Sequence, residues 1–169
     1  MQRRRRQVAW SVALGVIAIG ASAIFHPAPF LVWNASASVP VGLYLRAPAA
    51  TIRRGDLVLA RLPKAAGRMA ADRGYLPAAV PLVKPIAATA GDTVCAIGDS
   101  VSIDGREVAR RLETDSKGRP MPSWSGCRTL QSGEVFLLAK GVPDSFDGRY
   151  FGPIKRSQIV GKLVPLWIL

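Results

Sequence analysis

The feature that most constrains this chain is a stretch of 18 residues without charge, from Val8 to Phe25, which directly follows arginines at positions 3–6. At about 1.5 Å per residue, a helix of this length extends roughly 27 Å, just enough to cross the core of a bilayer. Because basic residues before such a stretch favour a cytoplasmic N-terminus, we expect the rest of the chain on the outer side of the membrane. The predicted segments are a basic cytoplasmic segment at 1–7, a transmembrane anchor or signal-like segment at 8–28, and an extracytoplasmic domain at 34–169.

A cleaved secretory signal is the alternative interpretation of this stretch. Ala21-Ser22-Ala23 has the small residues that precede a signal cleavage site. Trp33, in contrast, lies where an aromatic residue at the membrane interface is expected. Under both interpretations, the bulk of the chain is exported. We predict a single crossing of the inner membrane, with the domain in the periplasm.

The composition predicts one β-rich domain. With 169 residues, the chain is long enough for a domain in addition to the membrane segment. Its 16 glycines and 13 prolines are spread along the sequence, which favours many turns and a mainly β fold. The net charge of +12 suits a surface beside anionic lipid headgroups. Nucleic-acid binding is not expected, because the sequence has no lysine- and arginine-rich helix with interleaved aromatics.

The two cysteines, Cys95 and Cys127, would lie in a compartment that permits disulfides. A bond between them is predicted, with two free buried thiols as the alternative. Because His26 is the only histidine, a zinc site is not expected. No other metal or cofactor is indicated.

Short apolar stretches separated by turn residues predict the strands. They lie at 41–45, 57–62, 94–97, 101–103, 134–139 and 159–169, with a further apolar stretch at 80–88. Asp104-Gly105 predicts a hairpin turn. The alanine-rich segment 65–74 suits a short helix or a surface loop, and the polar segment 110–126 is predicted to be an exposed excursion. We expect 159–169 to be a buried final strand, with an edge that dips into the membrane as the alternative.

Two serines, Ser36 and Ser38, follow the membrane segment and are candidate nucleophiles. A serine hydroxyl becomes an effective nucleophile only when a base removes its proton. His26 falls at the membrane boundary, before the folded domain, so a triad of serine, histidine and aspartate is disfavoured. A lysine can replace the histidine if desolvation lowers its pKa toward neutrality. Lys84 has the most apolar sequence neighbours, and Lys140 is its competitor.

Three motifs, in the same order along the chain, resemble those of type I signal peptidases. They are the residues from Asn34 to Tyr44, those from Leu82 to Val94, and Pro143-Asp144-Ser145-Phe146-Asp147-Gly148-Arg149-Tyr150-Phe151-Gly152-Pro153. The runs VPVGLY and SFDGRYFGP are similar to the branch of the family that acts in conjugative transfer. The resemblance implies a signal-peptidase-like catalytic domain of antiparallel β-sheet, preceded by an N-terminal transmembrane helix.

The resemblance also implies the two reacting residues. Ser38 would be the nucleophile and Lys84 the general base, in agreement with the apolar context of Lys84. Ser36 and the backbone N–H of Ser38 would form the oxyanion hole. The spacing in Ser38-Val39-Pro40 is shorter by one residue than in housekeeping signal peptidases, so Ser36 stays open as the alternative nucleophile.

Supporting residues come from the third motif. Ser145 matches the serine that orients the lysine amine by a hydrogen bond. Asp147 and Arg149 match a charged pair that supports this wall of the site, and Asp144 lies beside them. A salt bridge without a catalytic part is the other interpretation of the pair.

The implied function is that of a membrane-anchored serine endopeptidase with a Ser-Lys dyad. Its expected substrate is an exported precursor, a conjugative pilin subunit, cut after small residues. Transfer of the acyl group to the substrate's own N-terminus, which makes a cyclic pilin, is an alternative outcome of the same dyad. A non-enzymatic structural part of a conjugation or secretion apparatus is the alternative outside enzymes. The expected partners are the precursor protein and membrane lipid, without nucleic acid or metal.

Overall fold

The computed structural model describes residues 2–24 and 29–169, and it begins with a helix, α1, at Gln2–Ile24. Within these residues, no helix is long and apolar enough to cross a membrane. The transmembrane helix predicted for residues 8–28 is therefore not found there. Residues 25–28 of that prediction, which include His26, lie outside the described residues.

The rest of the described chain is mainly β-structure, as predicted. The strands are β1 Leu31–Asn34, β2 Gly42–Ala47, β3 Leu57–Ala60, β4 Leu82–Ala88, β5 Thr93–Ile97, β6 Ser100–Ile103, β7 Arg106–Arg110, β8 Gly126–Thr129, β9 Glu134–Leu137, β10 Ile154–Lys155 and β11 Ile159–Ile168. Two short helices, α2 at Lys64–Asp72 and α3 at Gly148–Phe151, and a 3-10 helix at Arg156–Gln158 lie between strands.

Seven strands form one antiparallel sheet in the order β1-β2-β11-β3-β4-β9-β10. Gly42, at the start of β2, lies opposite Ile168 of β11, and a Cβ there would overlap the carbonyl oxygen of Trp167. Only glycine lets the two strands approach at this point. The close approach fixes the position of β2, which follows the turn that contains the two serines. Strand β4 lies inside the sheet, between β3 and β9.

The other four strands form a second antiparallel sheet in the order β7-β6-β5-β8. The hairpin predicted at Asp104-Gly105 is confirmed, because it joins β6 to β7 and both residues have positive φ, 50° and 76°. Cys95 on β5 lies opposite Cys127 on β8, and a disulfide joins their sulfur atoms. The disulfide therefore cross-links the edge strand β8 to its neighbour β5.

Buried apolar side chains connect the two sheets. The largest cluster joins the ends of β4 and β9 to β5 and β6: Ala87, Ala88, Val94, Ala96, Val101, Ile103, Leu130, Phe136 and Leu138. A second cluster packs β3, β4, β9 and β10 together: Val58, Ala60, Ile86, Val135, Leu137 and Ile154. Strand β4 contributes to both clusters, so its position is fixed by packing on both faces of the sheet.

One sequence prediction is confirmed in the main, and another needs correction. Segment 110–126 is mostly exposed, as predicted, although the side chain of Asp115 within it is only 7% exposed. The final strand is not buried throughout, because β11 is covered as far as Leu163, whereas Trp167 is 58% exposed. Polar side chains that bond to each other can be covered, and apolar side chains at the end of a strand can be exposed, so polarity alone does not predict exposure.

Replacing Cys95 and Cys127 by serine is expected to destabilise the β-rich domain. The bond links residues 32 positions apart, and a cross-link of this span stabilises a protein by about 3–4 kcal/mol in the chain-entropy model. Urea unfolding should give a lower midpoint for the double variant than for the oxidised wild type. A reductant should lower the midpoint of the wild type alone, and equal midpoints for the two oxidised proteins would contradict the prediction.

Candidate active site

A buried side-chain amide organises the turn that contains the two serines. Asn34, at the end of β1, is 4% exposed. Its Nδ2 donates to the carbonyl oxygens of Ser36 at 2.8 Å and Pro40 at 3.0 Å, and lies 3.2 Å from that of Val39. Its Oδ1 accepts a hydrogen bond from the Ser36 N–H at 3.2 Å. These bonds hold the backbone around Ser38 in one conformation.

Lys84 approaches this turn from the interior of the large sheet. Its side chain is 2% exposed, and its Nζ lies 2.5 Å from Ser38 Oγ and 2.7 Å from Ser145 Oγ. Three segments that are distant in the sequence therefore meet at one amine. Among the described residues, Lys84 is the only buried lysine, and its competitor Lys140 is exposed.

Burial changes the protonation of Lys84. Desolvation lowers the pKa of its amine from 10.5 to about 8. The carboxylate of Asp147 opposes this change, the guanidinium of Arg149 adds to it, and the carboxylate of Asp144 opposes it again. A lysine with a pKa in this range has a neutral fraction close to physiological pH, which is what a general base needs.

The loop that supplies Ser145 is pressed against β9. A Cβ on Gly148, at the start of α3, would come within 2.6 Å of the Leu137 carbonyl oxygen and 2.7 Å of the Phe136 ring. Trp124 Nε1 donates to the Gly148 carbonyl oxygen at 2.9 Å. Glycine at this position therefore allows the close packing that brings Ser145 to the lysine amine.

A buried ion pair holds the same loop. Asp147 and Arg149 are 0% and 1% exposed, and the guanidinium bonds to both carboxylate oxygens, at 2.9 and 3.1 Å. Arg149 also donates to the carbonyl oxygens of Ala139 at 3.0 Å and Pro143 at 2.9 Å. Asp147 accepts from the Ala139 N–H at 3.0 Å. A buried ion pair must satisfy its remaining donors and acceptors. The bonds to the backbone of Ala139 and Pro143 do this, and they also tie together the two ends of the loop before Ser145.

The two groups that the resemblance assigns to an oxyanion hole lie beside Ser38. The hydroxyl oxygens of Ser36 and Ser38 are 2.9 Å apart, and the Ser38 N–H donates to Ser36 Oγ at 3.4 Å. Both donors thus lie beside the Ser38 hydroxyl but are engaged with each other. Rotation of the Ser36 hydroxyl would make them available to a substrate.

A cleft of about 310 Å³ opens onto these groups. Its polar side is lined by Ser36, Ser38, Lys84, Asp144 and Ser145. The remaining lining is mainly apolar or aromatic and includes Tyr75, Leu76, Leu112, Met121, Phe146 and Tyr150. Sequence analysis missed Tyr75, Leu76, Leu112 and Met121, because they belong to segments without a strand pattern. Tyr75 and Met121 could have been noticed in the sequence, because each is a large side chain in an otherwise polar segment, the first aromatic and the second a thioether.

Comparisons with known proteins agree with the three sequence motifs. The family model described as signal peptidase, peptidase S26, matches residues 3–167. A plasmid transfer protein TraF from Escherichia coli is 33% identical over 169 residues, which cover 92% of this chain and 94% of that protein. A probable conjugal transfer protein TraF from Sinorhizobium fredii is 38% identical over 141 residues, 76% of this chain and 72% of that protein.

A solved signal peptidase I from Enterococcus faecalis aligns with 68% of this chain and 97% of its own, at 20% identity and a TM-score of 0.40. The family model and the Escherichia coli relative cover more of the sequence, residues 3–167 and 92% of this chain. Because that model spans nearly the whole chain and the relatives are more than 30% identical over most of both sequences, this chain belongs to the signal peptidase family, peptidase S26.

Proposed function

We propose that this protein is a membrane-associated serine endopeptidase that uses Ser38 and Lys84 as a catalytic dyad to cut an exported precursor protein. The observation that carries the proposal is the 2.5 Å separation between Nζ of the buried Lys84 and Oγ of Ser38. Membership of a peptidase family supports the reaction class. Of the two candidate nucleophiles, Ser38 is the one bonded to the lysine, which favours it over Ser36.

The reaction begins with proton transfer. Neutral Lys84 accepts the hydroxyl proton of Ser38 while Oγ forms a bond to the scissile carbonyl carbon. Ser145, bonded to the same amine at 2.7 Å, holds the amine in line with the nucleophile. The low exposure of Lys84 keeps water from competing for this contact.

Charge on the substrate oxygen is stabilised next. The Ser36 hydroxyl and the Ser38 N–H donate to the oxyanion in place of their contact with each other. Protonated Lys84 then gives its proton to the leaving amine, which leaves an ester on Ser38. Water, deprotonated by the same lysine, hydrolyses the ester and restores the free hydroxyl.

A precursor of the conjugation machinery is the proposed substrate, with a pilin subunit as the specific case. The names of the relatives support this choice, because they refer to plasmid transfer and conjugal transfer. The resemblance to signal peptidases adds a preference for small residues before the cut. Mass spectrometry of the product distinguishes hydrolysis from acyl transfer to the substrate's own N-terminus, because the cyclic product is lighter by one water.

Membrane association rests on two features. The first is the basic N-terminal segment followed by a charge-free stretch. The second is an apolar edge, formed by exposed side chains on β1 and at the end of β11: Phe30, Leu31, Trp33, Leu166, Trp167, Ile168 and Leu169. The rings of Trp33 and Trp167 are 6.1 Å apart, so the apolar edge is continuous across strands. Because Trp33 precedes Asn34, a lipid-facing edge would hold the serine turn at the membrane surface.

Ser38→Ala and Lys84→Met, each alone, are expected to abolish processing, with a loss of at least about 10³-fold in kcat/KM, since neither attack nor proton transfer can then proceed. Processing of a pilin precursor in membranes, followed on gels and by mass spectrometry, measures the loss. Lys140→Met, which replaces an exposed lysine, is the matched control and should keep full activity. Unimpaired processing by both variants would overturn the dyad and favour a non-enzymatic structural role.

The rate should rise with pH through a midpoint near 8, the pKa to which burial lowers Lys84. The sign follows from the lowered pKa, because the neutral, active amine accumulates as the pH increases through that value. Profiles of kcat/KM against pH measure it. A midpoint close to the ordinary value of 10.5 would contradict a desolvated base.

Asp144→Asn tests the electrostatic origin of this midpoint. The Asp144 carboxylate raises the pKa of Lys84, so its removal should shift the midpoint to lower pH. Since Asp144 is exposed, high salt should reduce the difference between wild type and variant. Glu107→Gln, on the second sheet, should leave the midpoint in place, and a shift to higher pH in Asp144→Asn would be the contrary result.

The full-length protein is expected to stay with the membrane fraction after alkaline carbonate washing. Replacing Trp33 and Trp167 by serine should slow processing of a membrane-presented precursor more than cleavage of a soluble peptide, because the apolar edge then binds lipid less well. Cell fractionation, N-terminal sequencing and the two assays test this. A soluble mature protein that begins near Ile24 would point to a cleaved signal instead.

A further inference from the structure

The cleft extends beyond the dyad into a mainly apolar part. Its volume of about 310 Å³ is shared by the dyad and this further part, and a single methyl group such as an alanine side chain fills little of it. Away from the dyad, its lining includes Leu76, Leu112, Met121, Phe146 and Tyr150, together with the polar residues Thr114, Asp115 and Ser116. The cleft therefore has space for a bulkier part of a bound peptide.

An aromatic wall leads from the lysine amine into this part of the cleft. Phe146 directly follows Ser145, the serine bonded to the amine. The Phe146 ring stacks on Tyr150, with centroids 6.0 Å apart, and meets the ring of Tyr75 at 5.5 Å. Tyr150 is 3% exposed, and its hydroxyl accepts from the Leu112 N–H at 3.1 Å. The wall is thus supported from behind and keeps its shape.

One carboxylate at the end of this wall joins two segments of the chain. Asp115 accepts hydrogen bonds from the Tyr75 hydroxyl and from Arg119 Nε, the latter at 2.7 Å. The backbone N–H groups of Lys117 and Arg119 donate to it at 2.9 Å. Tyr75 lies just after α2, whereas Asp115 and Arg119 belong to segment 110–126. We call the side chains of Tyr75, Asp115 and Arg119 the Asp115 latch.

The charged groups of the Asp115 latch are largely engaged with one another. The Asp115 side chain is 7% exposed, and Arg73 Nη1 lies 3.8 Å from its carboxylate in addition to the bonds above. The Arg119 guanidinium lies 5.6 Å from the centre of the Tyr75 ring. Met121 contacts the latch as well, because its sulfur lies 3.5 Å from the Tyr75 hydroxyl oxygen. The polar groups of the latch therefore bind one another, and the thioether lines the cleft.

We propose that the Asp115 latch closes a distal apolar subsite, formed by Leu112, Met121 and Phe146, which takes one bulky apolar side chain of the bound peptide at a position away from the scissile bond. Burial of such a side chain removes apolar area from water on both partners. The inference deepens the proposed function and rests on it for the nature of the ligand, an extended peptide. Met121 becomes a specificity residue and Asp115 a positioning residue.

Binding to the full-length Ser38→Ala protein in detergent micelles tests the subsite without cleavage. The probes are fluorescein-labelled peptides of alanine and serine in which a single Leu, Phe or Asp is moved from position to position, with Kd measured by anisotropy. At one position, Leu or Phe should bind about tenfold more tightly than Asp. Ratios within about twofold at every position would overturn the proposal.

Variants assign the preference to the subsite. Met121→Trp fills the cavity and should remove the preference at that position alone. Tyr75→Phe and Asp115→Asn, made with Ser38 intact, should raise KM for the Leu peptide more than KM for the all-small peptide. Glu107→Gln breaks an exposed ion pair with Arg110, at 3.0 Å, and should change neither. A preference that survives Met121→Trp would contradict the assignment, and circular dichroism checks that each variant folds.

The outcomes separate this inference from the proposed function. A preference in binding, without cleavage of any peptide by the protein with Ser38 intact, would support the subsite and contradict the proposed peptidase. Cleavage of every peptide at equal rates, with equal Kd values, would support the peptidase and overturn the subsite. If Asp115→Asn does not fold, Met121→Trp and Tyr75→Phe decide the question.

Discussion

The removal of one lysine amine from water is the interaction on which the rest of the site depends. Lys84 reaches the Ser38 hydroxyl from a strand packed on both faces, and this burial lowers its pKa to about 8. A buried cation is costly, so the amine is more readily neutral there than in solvent. The same burial therefore explains the position of the amine in the fold and its capacity to act as a base.

The amine needs Ser38 and Ser145 to stay in place beside it. Buried polar groups hold the segments that carry both serines. Asn34 bonds to the backbone of the turn around Ser38. Asp147 and Arg149 tie together the loop that leads to Ser145. Each is hydrogen-bonded throughout, as buried polar groups must be. Asp147 and Arg149 bond to backbone groups, so we interpret this charged pair as a support for the site.

The sequence allowed much of the sheet structure to be predicted, because alternation and turn residues are local signals. The hairpin at Asp104-Gly105 is an example, and the apolar neighbours of Lys84 already favoured it over Lys140. The polar segment 110–126 shows a limit of prediction from local sequence. Most of the segment is exposed, as its polarity predicted, but the side chain of Asp115 is covered by Tyr75 and Arg119, partners whose identity depends on the fold. The cleft beside it was missed for the same reason.

By itself, the sequence determined the family, the β-rich class and the candidate residues, since motifs and periodic patterns are properties of neighbouring positions. The tertiary structure decided what those residues can do. It joined side chains 46 and 61 positions apart at one amine, excluded water from that amine, and gave the cleft its apolar far end. Distances, pKa values and cavity shape depend on which distant atoms pack together, and no local pattern in the chain contains that information.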